Sequence, residues 1–181
     1  MSVAIDILNP EKPKHVAIVA SNPGVSKQTG WPIGFWWSEL AHPYWEFVEH
    51  GYKVDIFSPE GGKLEADSWS DPRDDSKYSA DDLISLGFIN SPMHMPLVEK
   101  SKPVNQITVS AFDAILFVGG QGPMYTFYED KRVYEKAIVD RCYGELLARW
   151  QEQLADSTTY LRDNCWAMME SVIVTLPPEA N

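Results

Sequence analysis

The sequence predicts an α/β fold, a three-layer sandwich of helices around a mostly parallel sheet. Three short runs of apolar, largely β-branched residues, at positions 15–21, 53–58 and 112–118, predict strands that are buried on both faces. Segments with helical spacing of apolar residues separate or follow these runs. Buried strands that alternate with helices are typical of a doubly wound parallel sheet. A chain of 181 residues is the size of one domain.

The first helix is expected between the first two strands, where apolar residues recur at helical spacing from position 32 to position 50. Pro43 interrupts that spacing, and we predict that it is the first residue of a new helix, where its missing N–H costs nothing. Gly51 is then the C-terminal cap. This assignment places Glu39 in the turn just before the helix.

The second half of the chain is predicted to be more irregular. Positions 63–105 carry one short helical patch near residues 80–86. An apolar stripe predicts a long amphipathic helix at 131–154, and a further helix follows an N-cap at Asp156. Residues 171–176 fit either that helix or a last strand, because periodicity does not separate the two.

The net charge of the chain restricts the classes of partner that it is expected to bind. The chain has 15 Lys plus Arg against 26 Asp plus Glu, a net charge of -11. An acidic surface repels phosphate, so we expect no nucleic acid and no membrane as a partner. No apolar run approaches the ~20 residues that cross a bilayer. The first residues lack the basic and apolar regions of a secretory signal, so the expected compartment is the cytoplasm.

The residue types and their spacing give little support for a metal site or a disulfide framework. The run 65–82 holds seven carboxylates but lacks the glycine and closing glutamate of a calcium loop, so we predict a solvated loop. His42 and His94 are expected to cap or pack rather than bind metal. Two cysteines, Cys142 and Cys165, are too few for a disulfide framework. An aromatic cluster is expected in the core or at a dimer interface: Trp31, Phe35, Trp36, Trp37, Tyr44 and Trp45.

A candidate site lies where the loops after the predicted strands meet. In a doubly wound sheet, ligands bind outside the carboxyl ends of the strands. Glu39, Glu60 and the turn 119–122 (Gly-Gly-Gln-Gly) are therefore candidates for one shared site. The alternatives are a turn that only terminates its strand and a glutamate that only favours a helix N-terminus.

Five motifs stand in order along the chain: TGW at 29–31, ELAHP at 39–43, GYKVDIFSPEGG at 51–62, DP at 71–72 and FDAILFVGGQG at 112–122. Together they resemble the ThiJ/PfpI superfamily, and especially its glyoxalase and stress-chaperone branch, over about residues 14–130. The resemblance implies a flavodoxin-like sandwich that is usually a homodimer and uses no metal or organic cofactor. It divides the single domain into a family-like part and a divergent helical tail at 131–181.

The resemblance also implies roles for individual residues. A cysteine thiolate on a sharp strand-to-helix elbow attacks a carbonyl carbon, and Glu39 is by position the protonated acid beside the thiol. The amides of Gly120 and Gln121 form the oxyanion hole. The implied substrates are small reactive carbonyl compounds such as 2-oxoaldehydes, which become 2-hydroxy acids.

The expected cysteine is missing from its place. Typical element lengths put the elbow roughly 25–32 residues after Gly120. That window, 145–152, contains no cysteine. Cys142 is the alternative nucleophile, although it comes early and follows Asp140 and Arg141; otherwise it is a helix residue that faces the core. The sandwich is therefore expected to be truncated or rebuilt at its C-terminal end.

Three hypotheses remain open at this point. The chain is an enzyme of the glyoxalase, deglycase or hydrolase type, or it is an inactive truncated relative that serves as a chaperone or interaction module. The third hypothesis is that residues after about Val139 derive from a shifted reading frame or an altered splice.

Overall fold

The structure is a computed structural model that describes residues 14–108, 111–127, 130 and 133, and the backbone of residues 172–175. Cys142, Cys165 and the expected elbow window lie outside the described residues, as does most of the helical tail predicted at 131–181. Within the described part, no helix combines the length and apolar character that spanning a bilayer requires.

One five-stranded sheet forms the centre of the fold. Its strands are β1 (His15–Val19), β4 (Lys53–Ser58), β5 (Lys102–Pro103), β6 (Ala114–Phe117) and β7 (Val172–Thr175), and they lie in the spatial order β5-β4-β1-β6-β7. Two further short strands, β2 (Gly24–Val25) and β3 (Pro32–Ile33), pair separately with each other. Four strands of the sheet run parallel, and β7 is antiparallel to β6. The predicted mostly parallel sheet is confirmed, and the ambiguous segment 171–176 contains a strand rather than a helix.

β1 lies between β4 and β6, and its alternate side chains enter two halves of the core. Val16 and Ile18 pack with side chains from the helices, in a cluster that includes Leu40, Phe88 and Val98. Ala17 and Val19 face the other side of the sheet, in a cluster that includes Phe57, Val104 and Ile107. Both faces of the strand are therefore covered, and the mixed α/β arrangement matches the predicted flavodoxin-like fold.

Helix α1 (Trp37–Glu49) corrects the prediction for Pro43, which lies inside the helix instead of opening a new one. A proline there removes the bond that its amide would donate to the carbonyl of Glu39. The helix continues because one face is anchored in the core by Trp37, Leu40, Ala41 and Tyr44. Glu39 therefore occupies the first turn of α1 rather than the preceding loop. The predicted cap is confirmed: Gly51 has φ 77° and donates its amide to Val48 O at 2.9 Å.

The segment 63–105 is more ordered than predicted. It contains α2 (Leu83–Asn90), α3 (Met95–Glu99) and 3-10 turns at Ser68–Ser70 and Val104–Gln106. The predicted helical patch is displaced towards the C-terminus because Asp82 caps α2, accepting a bond from Ser85 N at 3.0 Å. A short helix, α4 (Gln121–Thr126), follows β6 directly.

The aromatic cluster divides between core and surface. Phe35, Trp37 and Tyr44 are buried, as expected for core residues, and Phe35 meets Trp37 edge to face at 4.9 Å between ring centroids. Trp31 is 59% exposed, so it does not belong to the core.

Gly34 lies directly against the segment that follows β4. A Cβ on Gly34 would stand 1.9 Å from the backbone oxygen of Glu65. No real atom pair tolerates that distance, so any side chain at position 34 forces two backbone segments apart. Gly87, in α2, offers the matched contrast, because a Cβ there meets nothing within 4 Å.

The Gly34→Ala substitution is therefore expected to lower the free energy of unfolding by at least about 1–3 kcal/mol, the usual effect of overpacking. Gly87→Ala is expected to raise it by about 0.5–1 kcal/mol, because alanine reduces the entropy lost on forming a helix. Urea unfolding followed by tryptophan fluorescence measures both. Equal stabilities for the two variants would show that the Gly34 contact is not as close as described.

Candidate functional site

Three backbone segments meet beyond the carboxyl ends of β1, β4 and β6. They are 34–36, which leads into α1; 65–67, which follows β4; and the turn 119–122, which follows β6. Backbone hydrogen bonds join them: Gly122 N donates to Gly34 O at 2.7 Å, and Trp36 N donates to Gly119 O at 3.0 Å. Asp67 N donates to Phe35 O at 2.8 Å. We call this meeting point the three-segment junction.

Glycines make the junction possible. Gly120 has φ 119°, which side-chain-bearing residues rarely adopt, and a Cβ on it would lie 2.8 Å from Gly34 O. A Cβ on Gly122 would lie 2.2 Å from Ser21 Oγ. The glycines of the turn are therefore required by close backbone approach and not only by the end of the strand.

Glu39 reaches the turn from α1. Its Oε2 accepts a hydrogen bond from Gly119 N at 2.8 Å, across 80 residues of sequence. The side chain is half-buried and lies in the first turn of α1. The structure thus brings together Glu39 and the glycine turn, two of the candidates that the sequence analysis assigned to one site.

Asp67 is the residue that sequence reasoning missed. It was counted in the acidic run as part of a solvated loop, yet it is only 5% exposed. Its Oδ1 accepts from Gly34 N at 2.8 Å and its Oδ2 from Gln121 N at 2.6 Å. Burial raises the pKa of the Asp67 carboxyl above its ordinary range, outweighing the two amide hydrogen bonds, which lower it. One feature of the sequence indicates that Asp67 is buried. The apolar residues Leu64 and Ala66 come just before it and pack in or against the core.

The amides of the turn are consequently not equivalent. Gly119 N is held by Glu39, Gln121 N by Asp67 and Gly122 N by Gly34 O. Among the described residues, no acceptor is hydrogen-bonded to Gly120 N, although Gly120 is buried. Of the two amides predicted for the oxyanion hole, that of Gln121 is engaged by a carboxylate, and that of Gly120 has no acceptor within the part of the chain that the structure describes.

Glu60, the third candidate, lies on the same edge with an exposed side chain. Its backbone amide donates to Asn22 Oδ1 at 2.8 Å, and Asn22 Nδ2 donates to Gly61 O at 3.0 Å. Asn22 therefore fastens the loop after β1 to the loop after β4. The backbone amide of Glu60 is part of this connection between the two loops.

His42 and His94 make polar and aromatic contacts with neighbouring side chains. His42 Nε2 lies 2.8 Å from Asp82 Oδ1, and His94 Nδ1 lies 2.6 Å from Ser91 Oγ while its ring packs 4.6 Å from that of Trp45. Elsewhere in the acidic run, Asp71 pairs with Arg73 at 2.6 Å. Within the part of the chain that the structure describes, no three His, Cys, Asp or Glu side chains are grouped so that they could hold a metal ion.

An open groove of about 460 Å³ lies beside the start of α1, lined by Ser38, His42, Tyr78, Ser79, Asp81, Asp82, Leu83 and Ile84. Ser38 borders Glu39 in the chain, but neither Glu39 nor the glycine turn lines the groove. Among the described residues, Glu39 and the glycine turn therefore lie next to the groove and do not line it.

The raised pKa of Asp67 has a consequence for stability. Above the ordinary carboxyl pKa of about 4, the unfolded chain releases a proton that folded Asp67 retains. Stability contributed by Asp67 therefore falls as pH rises through the window up to its folded pKa. Urea unfolding between about pH 4 and about pH 7 is expected to show the wild type losing stability relative to Asp67→Asn as pH rises.

Asp71→Asn is the matched control, with the opposite sign. The hydrogen bond from Arg73 lowers the pKa of Asp71, so stability from that carboxylate is lost as pH falls. The wild type should therefore lose stability relative to Asp71→Asn only as pH falls below about 4, and the difference between the two should stay level in the window where Asp67 titrates. The same slope for both variants would contradict the different environments of the two carboxylates.

No protein-family model matches the sequence, and no curated protein matches it. Among solved structures, the fold is similar to that of Rapid Encystment Protein 24 kDa from Francisella tularensis, with 25% identity, a TM-score of 0.56, and coverage of 66% of this chain and 50% of that one. It is also similar to glyoxalase III from Candida albicans, with 19% identity, a TM-score of 0.51, and coverage of 66% and 49%. The chain spans about half the length of the structures that it matches.

Proposed function

We propose that this chain, which has a ThiJ/PfpI-like fold over about two thirds of its length, acts on small reactive carbonyl compounds such as 2-oxoaldehydes. The reaction type is that of a cofactor-independent glyoxalase, deglycase or hydrolase. One observation carries the proposal: the Glu39 carboxylate is bound to the glycine turn through Gly119 N at 2.8 Å, at the sheet edge where such folds bind ligands.

The proposed chemistry moves protons without a redox partner. A thiolate adds to the aldehyde carbon of the 2-oxoaldehyde and forms a hemithioacetal. Glu39 removes the proton from that carbon and returns a proton to the neighbouring ketone carbon, so the first carbon is oxidised and the second is reduced. Water then hydrolyses the resulting thioester, which releases the thiol and a 2-hydroxy acid. The net reaction adds one water.

The Gly120 amide supplies the electrostatic part of the proposal. Negative charge develops on the substrate oxygen when the thiolate adds, and a buried N–H that has no acceptor among the described residues would stabilise that charge. A ligand oxygen would accept a hydrogen bond from this amide.

The thiol in this scheme is assigned to Cys142, on the sequence alone. Methylglyoxal consumption with lactate formation tests the assignment. Glu39→Gln is expected to lower kcat by about 10²–10⁴, the usual contribution of a general acid–base group. Cys142→Ser is expected to abolish turnover, and Cys165→Ser, the matched control, is expected to retain it. Full activity in Cys142→Ser would rule out Cys142 as the nucleophile. Full activity in Glu39→Gln would rule out Glu39 as the acid–base group.

A second candidate is an inactive relative that serves as a chaperone or interaction module. One observation favours it: Asp67 occupies Gln121 N, one of the two predicted oxyanion donors. This candidate predicts no methylglyoxal turnover together with suppressed aggregation of a heat-denatured reporter enzyme, unchanged in Glu39→Gln. Turnover that depends on Glu39 would eliminate it.

A further inference from the structure

Asp67 is a buried carboxylate that joins two separate segments of the three-segment junction. One oxygen accepts from Gly34 N, before α1, and the other from Gln121 N, at the start of α4. These partners lie 33 and 54 residues away in the sequence. The carboxylate therefore connects backbone that no local interaction would bring together.

No cation balances the buried charge within the described residues around it. On its own loop, Lys63 pairs with Glu65 at 2.9 Å and Arg73 pairs with Asp71 at 2.6 Å. The charged group on α1 that faces the turn is Glu39, another carboxylate. Burying an ionised group without a countercharge is unfavourable.

A carboxylate nevertheless suits this place better than the amide of the same shape. The junction presents two N–H donors from opposite sides, and only a carboxylate offers an acceptor oxygen to each. In asparagine, the NH₂ group would face one of the donors. An ionised carboxylate can therefore accept a hydrogen bond from each of the two backbone amides at the same time.

The effect on the turn follows from the planarity of the peptide bond. Glu39 fixes the peptide that ends at Gly119 N, and Asp67 fixes the peptide that ends at Gln121 N. The peptide between them has its carbonyl, Gly119 O, bonded to Trp36 N at 3.0 Å. In a trans peptide the N–H points opposite to the C=O, so the Gly120 amide is directed away from Trp36.

We infer that Asp67 is a positioning residue: its carboxylate, together with Glu39 on the other side, holds the glycine turn so that the Gly120 amide faces a ligand oxygen. The ligand is the oxyanion of a carbonyl substrate, and this part of the inference rests on the proposed function. The orientation of the turn does not depend on it. Without the acceptor at position 67, the Gln121 amide loses this hydrogen bond, and the peptide between Gly120 and Gln121 is held less firmly.

Asp67→Asn tests the inference, with Asp71→Asn as the control on the same loop. Amide hydrogen exchange and ¹H–¹⁵N spectra follow Gly119, Gly120 and Gln121. Asp67→Asn is expected to reduce protection of Gln121 by roughly 10-fold, the equivalent of one hydrogen bond, and to shift the Gly120 resonance. Gly119, held by Glu39, and every signal of the turn in Asp71→Asn should stay unchanged.

Acid titration of the wild type supplies a second measurement that does not require the variant to fold. Protonation of Asp67 turns one acceptor oxygen into a donor, so the Gln121 and Gly34 signals should move with a single shared pKa. That titration should be absent in Asp67→Asn and present in Asp71→Asn. Gln121 signals that are the same in wild type and Asp67→Asn, or that do not titrate, would overturn the inference.

Enzyme assays separate this inference from the proposed function. If methylglyoxal is turned over, Asp67→Asn should lower kcat by roughly 10-fold with little change in KM, because the Gly120 bond forms in the transition state. Altered turn signals without turnover in the wild type would leave the positioning role intact and remove the proposed function. Normal kcat in Asp67→Asn, with an active wild type, would contradict the role of the positioned amide.

Discussion

Direct contact between backbones at the three-segment junction is the constraint on which the rest of the site depends. Segments 34–36, 65–67 and 119–122 approach so closely that Gly34, Gly120 and Gly122 leave no room for a Cβ. Backbone amides that are buried by such contact need acceptors, and carbonyl oxygens supply part of the requirement. The carboxylates of Glu39 and Asp67 accept from three further amides, those of Gly119, Gly34 and Gln121.

This arrangement links the architecture to the chemistry. β1 and β6 are adjacent and parallel, so the segments that follow them emerge at the same edge. α1 begins at that edge and carries Glu39 in its first turn, while the segment after β4 carries Asp67. The two acids hold the amides on either side of Gly120 and leave the Gly120 amide itself without an acceptor among the described residues. A carbonyl-binding site needs such a donor next to an acid–base group.

The sequence predicted the parts of this structure that depend on local pattern. Continuous apolar runs identified three strands of the sheet, and glycines marked the turn at 119–122 and the cap at Gly51. Pro43 was misplaced because its local preference is overridden by the buried face of α1. Asp67 was misread because its burial arises from contacts with Gly34 and Gln121, which no local composition reveals. The position of the thiol stays a prediction, since Cys142 lies outside the described residues.

The central claim is that two carboxylates hold the glycine turn, and scalar coupling across hydrogen bonds tests it most directly. In isotopically labelled protein, the account predicts a coupling between the amide nitrogen of Gly119 and the carboxyl carbon of Glu39. It predicts a second between the amide nitrogen of Gln121 and the carboxyl carbon of Asp67. Well-resolved Gly119 and Gln121 amides that couple to neither carboxyl carbon would contradict it.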